Sequence, residues 1–155
     1  MTGRVPPGPV LLDTDTLSEI SRGNPIVHAR SRTYLLEFGR FTVCAITVFE
    51  RLRGYRSAIA AGSPFQRQLQ AFEGLVQACV VLPVDEVAAD VAATMWSGST
   101  RKARQSLGDL LIAAVAVARQ LPLVTRNRRD FEMFARASGA RLSLLDWTKP
   151  AGRKS

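Results

Sequence analysis

Four acidic side chains stand where the sequence passes from a predicted strand or loop into a predicted helix. Asp13 follows the apolar run 10–12, and Glu50 lies at the start of the helix after a second predicted strand. Asp109 lies at the start of a strongly apolar helix, and Asp130 follows a later predicted strand. Since the carboxyl ends of parallel strands meet at one edge of a sheet, we expect these four carboxylates to lie close together.

Four clustered carboxylates repel one another, so such a cluster needs a cation. A set of oxygen ligands without His or Cys selects a hard ion, and the sequence therefore predicts Mg²⁺ or Mn²⁺. A metal ion held by carboxylates beside a basic surface suits hydrolysis of a phosphodiester, because it lowers the pKa of a bound water and offsets charge on the leaving oxygen. This prediction fails if Asp13, Glu50 and Asp109 point to different sides of the molecule.

Glu50 and Asp109 also fit a purely structural role. Each stands three residues after a hydroxyl side chain, Thr47 and Ser106 respectively, and so has the spacing of a capping box. Such a carboxylate contributes a few tenths to ~1 kcal/mol at a helix N-terminus. For either residue alone the sequence favours the cap, whereas the repeated placement of acids at one edge of the sheet favours a metal site.

The chain has few residues that could form a different catalytic site, such as a nucleophile with a histidine base. His28 is the only histidine and lies in the middle of a predicted helix, where a surface or packing role is expected. Cys44 and Cys79 lack the spacing of zinc ligands and lie in apolar surroundings, which favours two free thiols. No glycine-rich phosphate loop is present.

The balance of charges points to a polyanionic partner. Basic residues outnumber acidic ones by 21 to 13, which gives a net charge of +8, and nearly all the cations are arginine. Arginine binds phosphate oxygens with two parallel hydrogen bonds, and such pairing releases counterions from a nucleic acid. A generally basic host proteome is the alternative explanation, and the composition fits RNA and DNA equally. The arginines expected to guide a phosphate backbone are Arg126, Arg128, Arg129, Arg101 and Arg104.

Length and composition predict one folded domain. The chain has 155 residues, of which 46% are hydrophobic and 22% charged, near the averages for globular proteins. Its longest apolar run, 110–118, is far shorter than the ~20 residues of a membrane span. We expect a flexible leader at 1–9 without a signal-peptide core, a domain at 10–147 and a disordered tail at 148–155. The free thiols and the missing signal indicate the cytoplasm.

Strands alternate with helices along the chain, which predicts a three-layer α/β fold with a mainly parallel sheet of four to five strands. Thr16 and Glu19 have capping-box spacing at the first helix. The predicted strands are 10–12, 41–46, 79–83, 121–125 and 141–145. The predicted helices are 16–22, 25–38, 47–61, 64–77, 84–96, 106–118 and 126–139.

Four blocks of the sequence, in this order, resemble the PIN-domain ribonucleases, and specifically the VapC-type toxins of bacterial toxin–antitoxin pairs. Each block is weak alone, but four at family-like spacing are a specific signal, and the resemblance extends over 10–147. The blocks are LLDTDTLSE (11–19), ITVFERLRG (46–54), GDLLIAA (108–114) and LVTRNRRDF (123–131).

The resemblance implies a PIN-like α/β/α sandwich and Mg²⁺-dependent endoribonuclease activity. If a metal-activated water attacks the phosphorus in line, as we hypothesise, cleavage leaves a 5′-phosphate and a 3′-hydroxyl. It also implies a homodimer and an antitoxin partner that blocks the site. The site residues it implies are the metal-binding carboxylates Asp13, Glu50 and Asp109, the fourth and more variable acid Asp130, and the assisting residues Thr125 and Asn127.

Two features depart from the family pattern. Asp15 stands where members commonly have Asn, and its extra charge would join the metal shell or alter its pKa. The leader before the first strand is also longer than usual. Neither departure removes a core acid, so the site is expected to be active.

Two other functions fit parts of the sequence. The segment 13–16, Asp-Thr-Asp-Thr, approaches the signature of haloacid-dehalogenase-like phosphatases, in which Asp13 would be the nucleophile and Asp15 the general acid. Such enzymes need a downstream lysine at a strand end, which Lys102 does not satisfy. The second alternative is a non-catalytic basic nucleic-acid-binding protein whose acids only cap helices, which predicts metal-independent binding with a steep salt dependence.

Overall fold

The computed structural model describes residues 7–150, in which five strands alternate with eight helices. The strands are β1 (Leu11–Leu12), β2 (Thr42–Cys44), β3 (Val80–Leu82), β4 (Leu123–Val124) and β5 (Leu144–Leu145). The helices are α1 (Thr14–Ser21), α2 (Pro25–Phe38), α3 (Ala45–Ala60), α4 (Gln66–Ala78), α5 (Glu86–Ser97), α6 (Arg101–Arg104), α7 (Leu107–Arg119) and α8 (Arg128–Ser138).

The five strands form one parallel sheet in the order β3-β2-β1-β4-β5. Leu11 of β1 is in register with Thr42 on one side and with Leu123 on the other. All the strand pairs in residues 7–150 are parallel, which confirms the predicted mainly parallel sheet of four to five strands.

Side chains on successive strand residues enter two separate cores, because a strand points them alternately to opposite faces. Leu11 and Leu123 belong to the core that is built with α5, α7 and α8. Leu12 and Val124 belong to the core on the other face, which is built with α1, α2 and α4. The predicted three-layer α/β/α arrangement is therefore confirmed.

The sheet has its topological switch point between β1 and β4. From β1 the chain enters α1, whose Leu17 packs in one core, and from β4 it enters α8, whose Phe131 packs in the other. The two connections therefore diverge and leave a crevice at the carboxyl ends of these strands, the usual place for a ligand in such a sheet. The backbone N–H of Asp13 donates to the carbonyl of Val124 at 3.1 Å and so fixes the floor of this crevice.

The predicted capping boxes are wrong. α1 begins two residues before Thr16, with Asp13 as its N-cap, and α3 begins at the residue after Cys44, before Thr47. Ser106 does occupy the N-cap of α7, but its side chain makes no capping hydrogen bond. The strands β1 and β2 are two and three residues long, so the following helices start earlier than the apolar runs suggest.

Helix α2 matches its predicted bounds because both ends have strong local signals. Asn24 is the N-cap and its side chain accepts from the backbone N–H groups of Ile26 and Val27. Gly39 ends the helix in a left-handed conformation with φ of 77°, which favours glycine.

The predicted terminal segments fall largely outside the described residues. Residues 1–6 of the predicted leader and residues 151–155 of the predicted tail lie there. Within the described part of the tail, the Arg30 guanidinium donates to the carbonyl of Lys149 at 2.7 Å.

Cys44 is buried, Cys79 is partly buried and both are free thiols, while His28 is exposed on α2. Over residues 7–150, no helix combines the length and the apolar character needed to cross a membrane.

Candidate active site

Asp13 is the first residue after β1 and lies at the switch point of the sheet. Its side chain is only 3% exposed, and Oδ1 accepts a hydrogen bond from the backbone N–H of Thr16 at 2.7 Å. Burial raises the pKa of Asp13, and hydrogen bonds from Thr125 and Thr16 partly offset that rise. The carboxylate is therefore anchored at the N-terminus of α1 but is incompletely stabilised as an anion.

Glu50 lies in the body of α3, at the sixth residue of that helix. The Thr14 hydroxyl donates to Oε1 of Glu50 at 2.9 Å and thereby connects α1 to α3. A Cβ atom built on Gly108 would lie 3.2 Å from Cδ of Glu50, so the start of α7 packs closely against this carboxylate. Glu50 is therefore not a capping residue, because it contacts two distant elements and lies too far into its helix.

Asp109 is the residue at which the acidic side chains converge. Burial is the largest cause that raises its pKa, to about 6, and repulsion by Glu50, Asp13 and Asp130 follows in that order. A hydrogen bond from Asn127 partly opposes the rise. Asp13, Glu50 and Asp109 do not point to different sides of the molecule, since the first two repel the charged form of the third.

Asp130 is held at the same place by the turn after β4. The Asn127 side-chain amide donates to Oδ2 of Asp130 at 2.9 Å, and the backbone N–H of Asn127 donates to Oγ1 of Thr125 at 2.9 Å. Thr125 is fully buried next to Asp13. The predicted assisting residues Thr125 and Asn127 therefore link the acid after β1 to the acids of α7 and α8.

Asp15 lies at the rim of the site in a different environment. Both of its carboxylate oxygens accept from Arg126, at 2.7 and 2.9 Å. Arg126 also lies 3.6 Å from Glu19, which in turn accepts from Arg22 at 2.9 Å and from Asn24 at 3.2 Å. The extra charge of Asp15 is thus neutralised by an arginine.

The other predicted RNA-guiding arginines differ in how far they are engaged. Arg128 lies 3.6 Å from Glu132, and Arg104 donates to the carbonyl of Trp96 at 3.1 Å. Arg101 and Arg129 are exposed, and neither has a carboxylate within 4.0 Å among residues 7–150. Their role in guiding RNA stays a prediction.

The donor chemistry of the site fits a hard divalent cation. Its ligands would be carboxylate oxygens that are buried at Asp13 and partly buried elsewhere, repel the charge of Asp109 and have no Arg, Lys or His partner within residues 7–150. No three Asp, Glu, His or Cys side chains of the described chain form a ligand set by themselves. Mg²⁺ usually keeps several waters and binds through one or two carboxylates, so it does not need such a closed set.

Two residues of the site were not identified from the sequence. Thr14 orients Glu50, and Gly108 leaves the space in which the Glu50 carboxylate approaches α7. The signals available were the first hydroxyl in Asp-Thr-Asp-Thr, which is Thr14, and a glycine directly before an acid. Neither signal indicates which residue it contacts. Thr14 and Glu50, for example, are 36 residues apart in the sequence.

Comparisons with known proteins agree with this geometry. Residues 10–138 match the family described as the PIN domain. Over 139 residues the chain is 32% identical to the tRNA(fMet)-specific endonuclease VapC of Salmonella typhimurium, with 88% of this chain and 96% of that protein covered.

Solved structures show the same similarity. The DNA-bound VapBC of Salmonella typhimurium matches with a TM-score of 0.67 and 29% identity, over 90% of this chain and 98% of that one. VapBC-1 of nontypeable Haemophilus influenzae matches with a TM-score of 0.70 and 24% identity, over 92% and 100% of the two chains. The predicted PIN-like fold is thereby confirmed.

Proposed function

The chain belongs to the PIN-domain family and is similar to its VapC members, and from this premise we propose that it is a Mg²⁺-dependent endoribonuclease. It acts as the toxin of a toxin–antitoxin pair and works in the cytoplasm. The observation that carries the proposal is the convergence on Asp109, whose pKa is raised to about 6 by burial and by three other acids. Perturbed acids that face one another in a crevice are typical of catalytic sites.

Asp13, Glu50 and Asp109 would hold the ion, Mg²⁺ or Mn²⁺, directly or through water. The ion supplies a lowered pKa for a coordinated water and offsets the charge that develops on the leaving oxygen. The contact from Thr14 fixes the Glu50 carboxylate, and the N–H of Thr16 fixes that of Asp13. Both carboxylates are therefore held in place by this chain's own groups, which would give electrostatic preorganisation towards a cation.

Asp130 completes the acidic cluster as its fourth member. Its carboxylate is oriented by Asn127 and faces Asp109 closely enough to raise the pKa of that residue. We assign to it the role of orienting the attacking water, since its oxygen that does not bind Asn127 can accept a hydrogen bond from that water. Arginines at the rim, foremost Arg101 and Arg129, guide the phosphate backbone.

The substrate and partners follow from the relatives. Because the Salmonella relative is a tRNA(fMet)-specific endonuclease, initiator tRNA is the first substrate to test. An antitoxin partner is supported by the similarity to VapBC complexes. We also propose a homodimer, for which light scattering should give twice the chain mass of 16.9 kDa.

The two alternative functions are disfavoured by particular contacts. Both oxygens of Asp15 accept from Arg126, so Asp15 is badly placed to donate a proton as the general acid of a phosphatase. Glu50 lies in the middle of α3 and therefore does not cap a helix, as a non-catalytic protein would require.

The substitution Asp13→Asn tests the proposal. We expect it to lower Mg²⁺-dependent cleavage of an initiator tRNA transcript by at least about 100-fold, since it removes a ligand charge from the site. The fold should remain, because Asn caps a helix about as well as Asp. Cleavage is followed on gels with Mg²⁺ and with EDTA, and folding by circular dichroism.

The matched control is Asp85→Asn. Asp85 is also a helix N-cap, with its side chain accepting from Ala88 at 2.9 Å, but it pairs with Arg119 at the far end of α7. The control should keep full cleavage. A purified, folded Asp13→Asn protein that still cleaves RNA at the wild-type rate, or wild-type cleavage that persists in EDTA, would end the proposal.

A further inference from the structure

A cavity of about 420 Å³ opens beside the acidic cluster, between α3 and the start of α7. Glu50 and Asp109 line it, and so do apolar side chains from both helices, including Phe49 and Leu107. We propose that this cavity binds one nucleobase of single-stranded RNA, next to the phosphate that is cut, with Phe49 as the stacking surface. The inference rests on the proposed nuclease function and goes beyond it, because it assigns a residue that selects the substrate.

The fold does not use the Phe49 ring. Phe49 is 57% exposed and Leu107 is 48% exposed, although each is a large apolar side chain. A single exposed apolar residue is ordinary in a soluble protein, but here two of them face one cavity that also contains two acids of the site. An apolar pocket with a few convergent polar groups is the usual form of a ligand site.

The position of Phe49 ties a bound base to the reacting phosphate. Phe49 directly precedes Glu50 in α3, and Leu107 stands two residues before Asp109 in α7. Phe49 therefore lies in the same helical turn as Glu50, and Leu107 lies in the same helical turn as Asp109. A base that enters between the walls brings its own phosphate to the carboxylates, where the proposed cleavage takes place.

Charged groups around the cavity fit a nucleic acid better than an apolar peptide. The Arg53 guanidinium lies 5.3 Å from the centre of the Phe49 ring and has no carboxylate within 4.0 Å among residues 7–150. A second pair of the same kind, Arg104 over Trp96 at 5.2 Å, lies on the segment that leads into the opposite wall. Aromatic rings interleaved with arginines are the recurring surface that binds single strands.

Polar side chains on the opposite wall allow selection among bases. Gln105 and Ser106 line the cavity together with Leu107. An amide and a hydroxyl can donate to or accept from the edge of a base that stacks on Phe49, which is how single-stranded RNA is read by sequence.

The test compares the binding of two fluorescent octamers with equal charge, octaadenylate and an oligomer of abasic ribose phosphates. All proteins tested for binding carry Asp109→Asn, which prevents cleavage and removes one repelling charge. Phe49→Ala should weaken octaadenylate binding by about 5- to 150-fold, the range that corresponds to ~1–3 kcal/mol per stacked base. It should leave binding of the abasic oligomer unchanged, and Phe49→Trp should restore octaadenylate binding.

Leu36→Ala is the matched control, because Leu36 is the most exposed large apolar side chain described, at 82%, and lies on α2 away from the cavity. It should bind both octamers like the parent protein. Equal octaadenylate binding by Phe49→Ala and the parent would overturn the base site. If Phe49→Ala instead loses only binding of an antitoxin peptide, the cavity belongs to a protein partner and the inference is likewise overturned.

Failure of the nuclease proposal is recognised separately. Wild-type protein that cleaves initiator tRNA with Mg²⁺, together with unchanged octaadenylate binding by Phe49→Ala, overturns the base site alone. Wild-type protein that neither cleaves nor binds RNA overturns both.

Discussion

Two sets of carboxylates lie at the same edge of the sheet and differ in how their charge is balanced. The paired set, Asp15 and Glu19, accepts hydrogen bonds from Arg126 and Arg22. Hydrogen bonds from Asn24 and Arg22 hold the pKa of Glu19 below its ordinary value. The members of the unpaired set, which have no cationic partner within 4.0 Å in residues 7–150, are Asp13, Glu50, Asp109 and Asp130.

The difference separates acids whose charge is balanced by an arginine from acids whose charge the described fold leaves unbalanced. In the paired set, hydrogen bonds from Asn24 and Arg22 favour the charged form of Glu19, and Arg126 contacts both oxygens of Asp15, so no further cation is required from solution. In the unpaired set, burial and mutual repulsion raise the pKa of Asp109 to about 6. At neutral pH this burial and repulsion destabilise the folded protein, because Asp109 is then charged, and a bound cation would offset the repulsion.

Among the three tests of this comparison, the largest effect is expected from moving one acid of the unpaired set. In Gly108→Ala the new Cβ would lie 3.2 Å from Cδ and Oε2 of Glu50, so the carboxylate must shift by a few tenths of an ångström. We expect RNA cleavage to fall about tenfold, since small misplacements of catalytic groups are costly. Stability should not fall, because Ala favours a helix over Gly by ~1 kcal/mol.

Gly74→Ala is the control for this change. Gly74 lies in α4 with no atom within 4 Å of an added Cβ, so the substitution should raise the unfolding temperature and leave cleavage unchanged. Single-turnover cleavage and thermal unfolding of the two variants give the comparison. Full activity in Gly108→Ala would show that the Glu50 position is not critical.

An intermediate effect is expected in the pH dependence of stability. The pKa of Asp109 is higher in the folded protein, about 6, than its ordinary value of 3.8, so the folded state binds the proton more tightly. Without metal, this group's contribution to the free energy of unfolding is therefore greatest below pH 3.8 and is lost as the pH rises to about 6.

Asp109→Asn removes this dependence. In EDTA at pH 7 the variant should be more stable than the wild type by roughly 1–2 kcal/mol, after discounting for partial exposure, and the difference should vanish near pH 4. Mg²⁺ should raise the unfolding temperature of the wild type only. Urea titrations from pH 4 to 7 measure this, with Asp90→Asn on the exposed face of α5 as the control. A variant less stable than wild type at pH 7 would contradict the repulsion.

The smallest effect is expected in the paired set. Arg126→Gln removes the bidentate contact to Asp15, in which the two side chains are 44% and 41% exposed. An exposed pair contributes at most about 1 kcal/mol, so the unfolding temperature should fall by no more than ~4 °C. Arg128→Gln, which loses a 3.6 Å contact to Glu132 and a hydrogen bond to the carbonyl of Leu144 at 3.3 Å, is the control. A loss of stability above ~2 kcal/mol would mean that the two sets are coupled.

The sequence predicted most where the signal is local or periodic. Asn24, Pro25 and Gly39 identified α2 to the residue, and the strand–helix alternation identified the parallel sheet. The acids were predicted to lie together because each was expected to follow a strand or open a helix, and the topology of a parallel sheet brings such positions to one edge.

The predictions from the sequence were wrong where a local spacing suggests one role and a contact with a distant residue gives another. Thr47 and Glu50 have capping-box spacing, yet Glu50 is held by Thr14 from another helix, and α3 begins before Thr47. The contact between Asp15 and Arg126 joins residues 111 positions apart, and no pattern in the chain pairs them. The cavity beside Phe49 also depends on how α3 and α7 approach each other, which periodicity does not specify.

The position of β4 in the sheet determines when the site can form during synthesis of the protein. This strand pairs directly with β1 but is made more than a hundred residues later, and Thr125, Asn127 and Asp130 follow it. A polypeptide still growing on the ribosome has Asp13 and Glu50 long before it has the residues that complete their surroundings. The translating cell is therefore not exposed to the proposed nuclease until synthesis is nearly finished, and truncated chains that end before β4 should be harmless.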